Sequence, residues 1–204
     1  MKAVIFGLDG VLVFLDRLRN MAWAKASERL GLPLGSGAAD GVPEGADAAT
    51  ACPGKNITAT EWELVTEEKN EIYRNLLNYM KPEDVSPETR QVLHALRERG
   101  LKLAIGSDSR NASLVLEKTE MRGLFDAVSD GNNIRRAKPD PEVFLKAAEY
   151  LGEKPGDCLV VDHSPAGIDA AAAGGFPAAG IGAAALYGKT AFPLNGLSSL
   201  LSLI

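Results

Sequence analysis

Three polar residues, Asp9, Ser107 and Asp162, each stand just beyond a short apolar run that reads as a β-strand. Two carboxylates and a hydroxyl so placed could meet a bound ligand. In open α/β sheets that ligand sits at the carboxyl ends of the strands. Asp9 and Ser107 are far apart along the chain, so only the fold can bring them together. Lys138 precedes a proline and a helix, and His163 follows Asp162 directly. Each has a plainer reading. Asp9 alone is a turn aspartate and Ser107 a cap near a helix start. Lys138-Pro139 is helix punctuation, and His163 is a surface loop histidine.

The elements that must position these residues follow from periodicity. Lys2 to Phe6 is a short, mainly apolar run closed by Gly7-Leu8-Asp9-Gly10, which suits a strand of a buried parallel sheet. Apolar residues at helical spacing (Leu15, Leu18, Ala22, Ala26, Leu30) predict a helix ended by Gly31. Residues 32–60 are rich in Gly, Ala, Pro and Asp and predict irregular or poorly packed structure. A second helix is expected over Glu61–Met80, with Trp62, Val65, Ile72, Leu76 and Tyr79 as core candidates. From Pro87 onward strands and helices alternate. Helices are expected at 87–99, 112–120, 141–150 and 165–173, and strands at 102–105, 126–129, 158–161 and 178–181, the last strand being Ala178–Ile181. Repeated βα units imply a doubly wound parallel sheet with helices on both faces. The expected organisation is an α/β, Rossmann-like core domain (1–14 and 83–204) interrupted by a helical cap domain (15–82).

Four segments carry a more specific signal: Phe6-Gly7-Leu8-Asp9-Gly10-Val11-Leu12-Val13, Ile105-Gly106-Ser107-Asp108-Ser109-Arg110-Asn111, Ala137-Lys138-Pro139-Asp140-Pro141-Glu142-Val143-Phe144, and Val160-Val161-Asp162-His163-Ser164-Pro165-Ala166-Gly167-Ile168. Their order, spacing and strand-end placement resemble the four motifs of the haloacid dehalogenase superfamily. The stretch Ser129-Asp130-Gly131-Asn132-Asn133-Ile134 leading into Lys138-Pro139 narrows the resemblance to β-phosphoglucomutases. It spans nearly the whole chain and fades over about residues 31–60.

The resemblance implies phosphoryl transfer through an aspartyl phosphate, with Mg²⁺ neutralising transition-state charge. It assigns Asp9 as general acid and base and, through its carbonyl, as a metal ligand. Ser107 and Lys138 become phosphate contacts, and Asp108, Ser109, Arg110 and Asn111 the loop that meets the sugar phosphate. Asp162 and His163 fall at the metal-binding acidic pair. Gly41, Val42 and Glu44 align with a cap loop that contacts phosphate.

The departures from this pattern are chemical. Gly7 stands at the position of the nucleophilic aspartate and has no side chain with which to attack phosphorus or hold a metal. His163 replaces a metal-binding aspartate, and a neutral imidazole is a poor Mg²⁺ ligand. Glu44 replaces a phosphate-gripping arginine, Leu15 a hydroxyl residue, and Arg19 a histidine. Mg²⁺, the family's cofactor, is therefore expected to bind weakly or not at all.

The 204 residues suffice for one doubly wound domain and an insert. With 46% hydrophobic and 24% charged residues, the composition is that of an ordinary globular protein. No apolar run has the length of a membrane span. The net charge of −5, with dispersed basic residues, argues against nucleic acid as a partner. Cys52 and Cys158 have no metal-type spacing and point to a reducing, cytoplasmic setting. The functional expectation is a β-phosphoglucomutase-like protein of sugar-phosphate phosphoryl transfer, impaired at the nucleophile. Its ligand would be a phosphorylated sugar or another small phosphorylated molecule. The alternatives are a catalytically silent relative that binds such a ligand or a protein partner, and a weak phosphatase in which Asp9 activates water.

Overall fold

Every residue of the first strand, β1 (Ala3–Phe6), is buried in the computed structural model of the chain, which describes residues 1–31 and 56–204. A strand without an exposed face belongs in the middle of a covered parallel sheet. β1 pairs on one side with β2 (Lys102–Gly106) and on the other with β4 (Cys158–Asp162). Beyond them lie β3 (Ala127–Ser129), β5 (Ala178–Ile181) and β6 (Phe192–Leu194), in the order β3-β2-β1-β4-β5-β6. All the pairings are parallel. The chain thus turns to opposite sides of β1, which makes the carboxyl ends of β1, β2 and β4 the switch point at which ligands bind.

By contact, the chain divides into two units, Met1–Phe14 with Lys81–Ile204, and Leu15–Met80. In the first, Ala3 and Ile5 join Val143, Phe144, Ala147, Ile168 and Phe176 in one buried cluster. These come from the helices Glu142–Leu151 (α5) and Pro165–Ala173 (α6) and the segment after α6. Phe6 points the other way, its ring meeting Phe125 edge-on at 6.4 Å between centroids. The helices Pro87–Glu98 (α3) and Ala112–Lys118 (α4) contribute Val92, Leu93, Leu96, Val115 and Leu116 to the buried set. Cys158 is buried as a free thiol whose pKa desolvation pushes up to about 11, so it is not a reactive thiolate. Cys52 lies outside the described residues.

The second unit holds the helices Asp16–Leu30 (α1) and Ala59–Leu77 (α2). They meet through a stacked pair, Trp23 and Trp62, with ring centroids 5.3 Å apart and planes 17° apart. The ammonium of Lys69 stands 5.0 Å over the Trp23 ring. Leu15 is buried, and Arg19 pairs with Asp16 at 3.0 Å.

Three expectations need correction. The last strand is β6, not β5; only three residues long and containing Pro193, it carries too short a pattern to register. Helix α2 starts at Ala59, inside the stretch expected to be irregular, because Thr58 and Glu61 form a capping box. That helix ends at Leu77, which leaves Tyr79 81% exposed, not in the core. Helix α1 ends at Leu30 with Gly31 as its cap, as its spacing predicts. Among the described residues, no helix is long and apolar enough to cross a membrane.

Candidate functional site

The centre of the strand-end cluster is a buried ion pair. Asp162 closes β4 and is 1% exposed. Its Oδ2 accepts a hydrogen bond from Lys138 Nζ at 2.9 Å. Its Oδ1 accepts from Ser164 N at 2.9 Å and Ser164 Oγ at 2.8 Å. Ser164 is also the N-cap of α6, accepting from Gly167 N at 3.0 Å, so one hydroxyl serves both the helix and the carboxylate. Burial pushes the Asp162 carboxyl up, but the Lys138 charge and the hydrogen bonds from Lys138 and Ser164 outweigh it. The net result lies below the usual aspartate value.

Lys138 is fixed from several directions. Its Nζ donates to Gly106 O at 3.0 Å, at the end of β2, and lies 4.8 Å from the centre of the Phe144 ring. Its backbone N–H is held by both Asp108 carboxylate oxygens at 3.3 Å, and its peptide bond to Pro139 is cis. Asp108, assigned by resemblance to the ligand-facing loop, therefore also ties the β2 loop to the Lys138 loop.

Close approach at Asp162 depends on glycine. A Cβ on Gly167 would stand 2.1 Å from Asp162 Cγ, an impossible contact. A Cβ on Gly7 would stand 2.9 Å from Asp162 Oδ2 and 3.3 Å from Val11 Cγ2. The carboxylate of Asp162 thus borders the place where a side chain at position 7 would begin.

Asp9 is half-buried in the turn that follows β1, closed by Gly10 N–H to Val13 O at 2.7 Å and Leu12 N–H to Leu8 O at 2.9 Å. His163 packs on this turn. A Cβ on Gly10 would lie 2.5 Å from the His163 ring, and Gly10 has φ +71°, so glycine is required on both counts. The imidazole Nδ1 is 3.8 Å from Asp162 Oδ1, too far for a hydrogen bond, and the side chain is 46% exposed.

The β2 loop supplies hydroxyls. Ser107 is buried, and its Oγ accepts from Ser109 N at 3.3 Å, which leaves its own proton to donate. Ser109 Oγ accepts from Asn111 N at 3.2 Å. Helix α4 starts only at Ala112, so Ser107 is not a helix cap. Arg110 is exposed, and Asn111 is half-buried at the N-cap. Behind the loop lies a buried carboxylate that the sequence reading did not single out. Asp130 accepts from Asn132 N at 2.9 Å and from Ser113 Oγ at 3.3 Å, and Asn132 Nδ2 reaches Arg110 O at 2.9 Å. Ser164 and Gly167 were also missed as supports of Asp162. Their signal was the cap spacing itself, a serine two residues past an aspartate at a helix start. Gly41, Val42 and Glu44 lie outside the described residues.

The Mg²⁺ that the resemblance implies can be tested against these donors. Gly7 offers no side chain, both Asp162 oxygens are engaged by Lys138 and Ser164, and His163 offers nitrogen. Among the described residues, no group of three or more His, Cys, Asp or Glu side chains is placed to hold a metal ion. As arranged, this set does not match a cation that demands near-octahedral oxygen ligands.

Comparison with known proteins agrees with the motifs. The family model of the haloacid dehalogenase-like hydrolases matches residues 1–175. The β-phosphoglucomutase of Bacillus subtilis is 31% identical over 189 residues, covering 89% of this chain and 84% of that one. A phosphorylated carbohydrates phosphatase of Thermotoga maritima is 28% identical over 186 residues, covering 86% and 82%. The crystal structure of β-phosphoglucomutase from Clostridium difficile superimposes with a TM-score of 0.83 at 25% identity, covering 98% and 93%.

Proposed function

Starting from a chain that belongs to the haloacid dehalogenase-like hydrolase family, in its β-phosphoglucomutase-like branch, we propose a protein that binds a phosphorylated sugar but forms no aspartyl phosphate. The family to which it belongs is one of sugar-phosphate phosphatases and phosphomutases. The observation that carries the proposal is Gly7, with the Asp162 carboxylate 2.9 Å from where its Cβ would be. Position 7 supplies no nucleophile, and the neighbouring carboxylate that could lean in is committed to Lys138 and Ser164. Asp9 does not replace it. It sits two residues further along, beyond the strand end, and an error on the order of 1 Å in an attacking atom costs about 100-fold in rate.

The remaining residues support binding. Ser107 keeps a donor proton at the end of β2, and Lys138 stands beside it through Gly106. Ser109, Arg110 and Asn111 continue the same loop, on the side where a sugar phosphate would lie. Asp9 retains a carboxylate for proton transfer, with no phosphoenzyme to serve. Mg²⁺ binds weakly or not at all on this reading.

The test is a pair of measurements on the unmodified chain. Calorimetry should show saturable binding of glucose 6-phosphate and none of glucose. Incubation with β-glucose 1-phosphate should yield no glucose 6-phosphate above the uncatalysed background. Mutase turnover, or equal response to glucose and its phosphate, contradicts the proposal.

A further inference from the structure

We infer that this strand-end site does not take a divalent cation, Lys138 serving as the counter-charge of Asp162. The inference rests on the phosphorylated-ligand reading only in its location, and it adds how the site balances its charge.

A buried carboxylate needs a partner. Asp162, at 1% exposure, has one in Lys138 Nζ at 2.9 Å, itself only 10% exposed at the side chain. The ammonium is held in place by Gly106 O at 3.0 Å and by the Phe144 ring at 4.8 Å from its centre, so it is not a mobile surface lysine. The other Asp162 oxygen is filled by the two Ser164 donors. A metal would have to displace one of these partners. It would gain no second carboxylate at Gly7, and at His163 it would meet an imidazole packed on the Gly10 turn. The Asp162 carboxylate and the Lys138 ammonium already offset each other, so Asp162 has no uncompensated charge to offer a dication. With no carboxylate at position 7, the Lys138 ammonium faces the Asp162 carboxylate without a competing acidic side chain from that position.

Two consequences follow. The unmodified chain should have no saturable divalent-cation site. Removing the ammonium while keeping the stem that packs on Phe144, as in Lys138→Met, should leave Asp162 uncompensated and create affinity for a cation.

The experiment titrates Mn²⁺, a paramagnetic stand-in for Mg²⁺, into the full chain and reads free Mn²⁺ by electron paramagnetic resonance. The unmodified chain is expected to show no saturable site at or below about 1 mM, and Lys138→Met to bind at least about tenfold more tightly. MgCl₂ should raise the melting temperature of Lys138→Met, but not of the unmodified chain, relative to NaCl of equal ionic strength. If Lys138→Met does not fold, Lys138→Gln, which retains a donor for Gly106 O, carries the same comparison. One saturable Mn²⁺ site at or below about 1 mM in the unmodified chain overturns the inference, and so does a folded variant that binds no better. A parallel titration with glucose 6-phosphate, in Mg²⁺ and in EDTA, separates the two claims. No response in either buffer sinks the ligand reading while the Mn²⁺ result still decides the cation.

Discussion

Asp162→Ala is expected to destabilise the protein by about 3–5 kcal/mol, because it strands a buried ammonium without its partner. For a chain of this size that lowers the melting temperature by roughly 6–20 °C. The large effect is not a measure of what the pair contributes. Replacing both members together, with Asp162→Leu and Lys138→Met, should cost far less than Asp162→Ala alone, since two apolar side chains leave no charge unpaired. The Ser164 hydroxyl and N–H lose an acceptor in both variants, so that loss does not account for the difference between them. Thermal melts of the unmodified chain, Asp162→Ala and the double variant, compared directly, check it.

The same pair fixes an acid limb. The folded-state pKa of Asp162 lies below the usual aspartate value, against an upward push from burial, because Lys138 and Ser164 favour the charged form. A depressed carboxylate contributes its full stability above the unfolded-state value and loses it as pH falls through the folded-state value. Stability should therefore drop more steeply below about pH 4 in the unmodified chain than in the double apolar variant. Parallel acid-unfolding curves would refute the assignment.

Gly7→Asp combined with His163→Asp is expected to raise phosphoryl transfer on the order of 100-fold over the unmodified chain, with each single change within about tenfold of it. The reason for the non-additivity is geometric. A side chain at position 7 begins 2.9 Å from Asp162 Oδ2, so that carboxylate must yield from contacts with Lys138 and Ser164 that hold it in place. Gly7→Asp alone also crowds two carboxylates around one ammonium. A second acidic group in place of His163 supplies the oxygen donor that a hard cation requires, and a cation then relieves the crowding. Steady-state rates with β-glucose 1-phosphate in Mg²⁺ measure the effect. Gly7→Asp alone matching the double variant would show that His163 is no obstacle.

Much of this arrangement was legible in the sequence because its parts are local. Fully apolar runs such as Val4-Ile5-Phe6 and Leu159-Val160-Val161 are central strands, and the polar residue after each marks the ligand end of the sheet. Helix α6, with Ser164 and Pro165 at its start, and strand β5 are read residue for residue. What periodicity could not supply is who touches whom. Nothing in the order of residues says that Lys138 meets Asp162 and Gly106, or that Gly167 and Gly7 are the gaps into which the Asp162 carboxylate fits. Asp130 reads as one more loop aspartate, yet it is buried and ties Asn132 and Ser113. Tyr79 shows the opposite failure: helical spacing extrapolated past Leu77, where the helix has already ended, points to a core position that is solvent.

The central claim, that Gly7 leaves this site without an aspartyl-phosphate intermediate, is tested most directly by phosphoryl labelling. The unmodified chain and the Gly7→Asp/His163→Asp variant are each incubated with radiolabelled sugar bisphosphate and Mg²⁺, quenched in acid and mapped by peptide. The account predicts label on the first-strand peptide of the double variant and none on the unmodified chain. A stable acyl phosphate on Asp9 of the unmodified chain would contradict it.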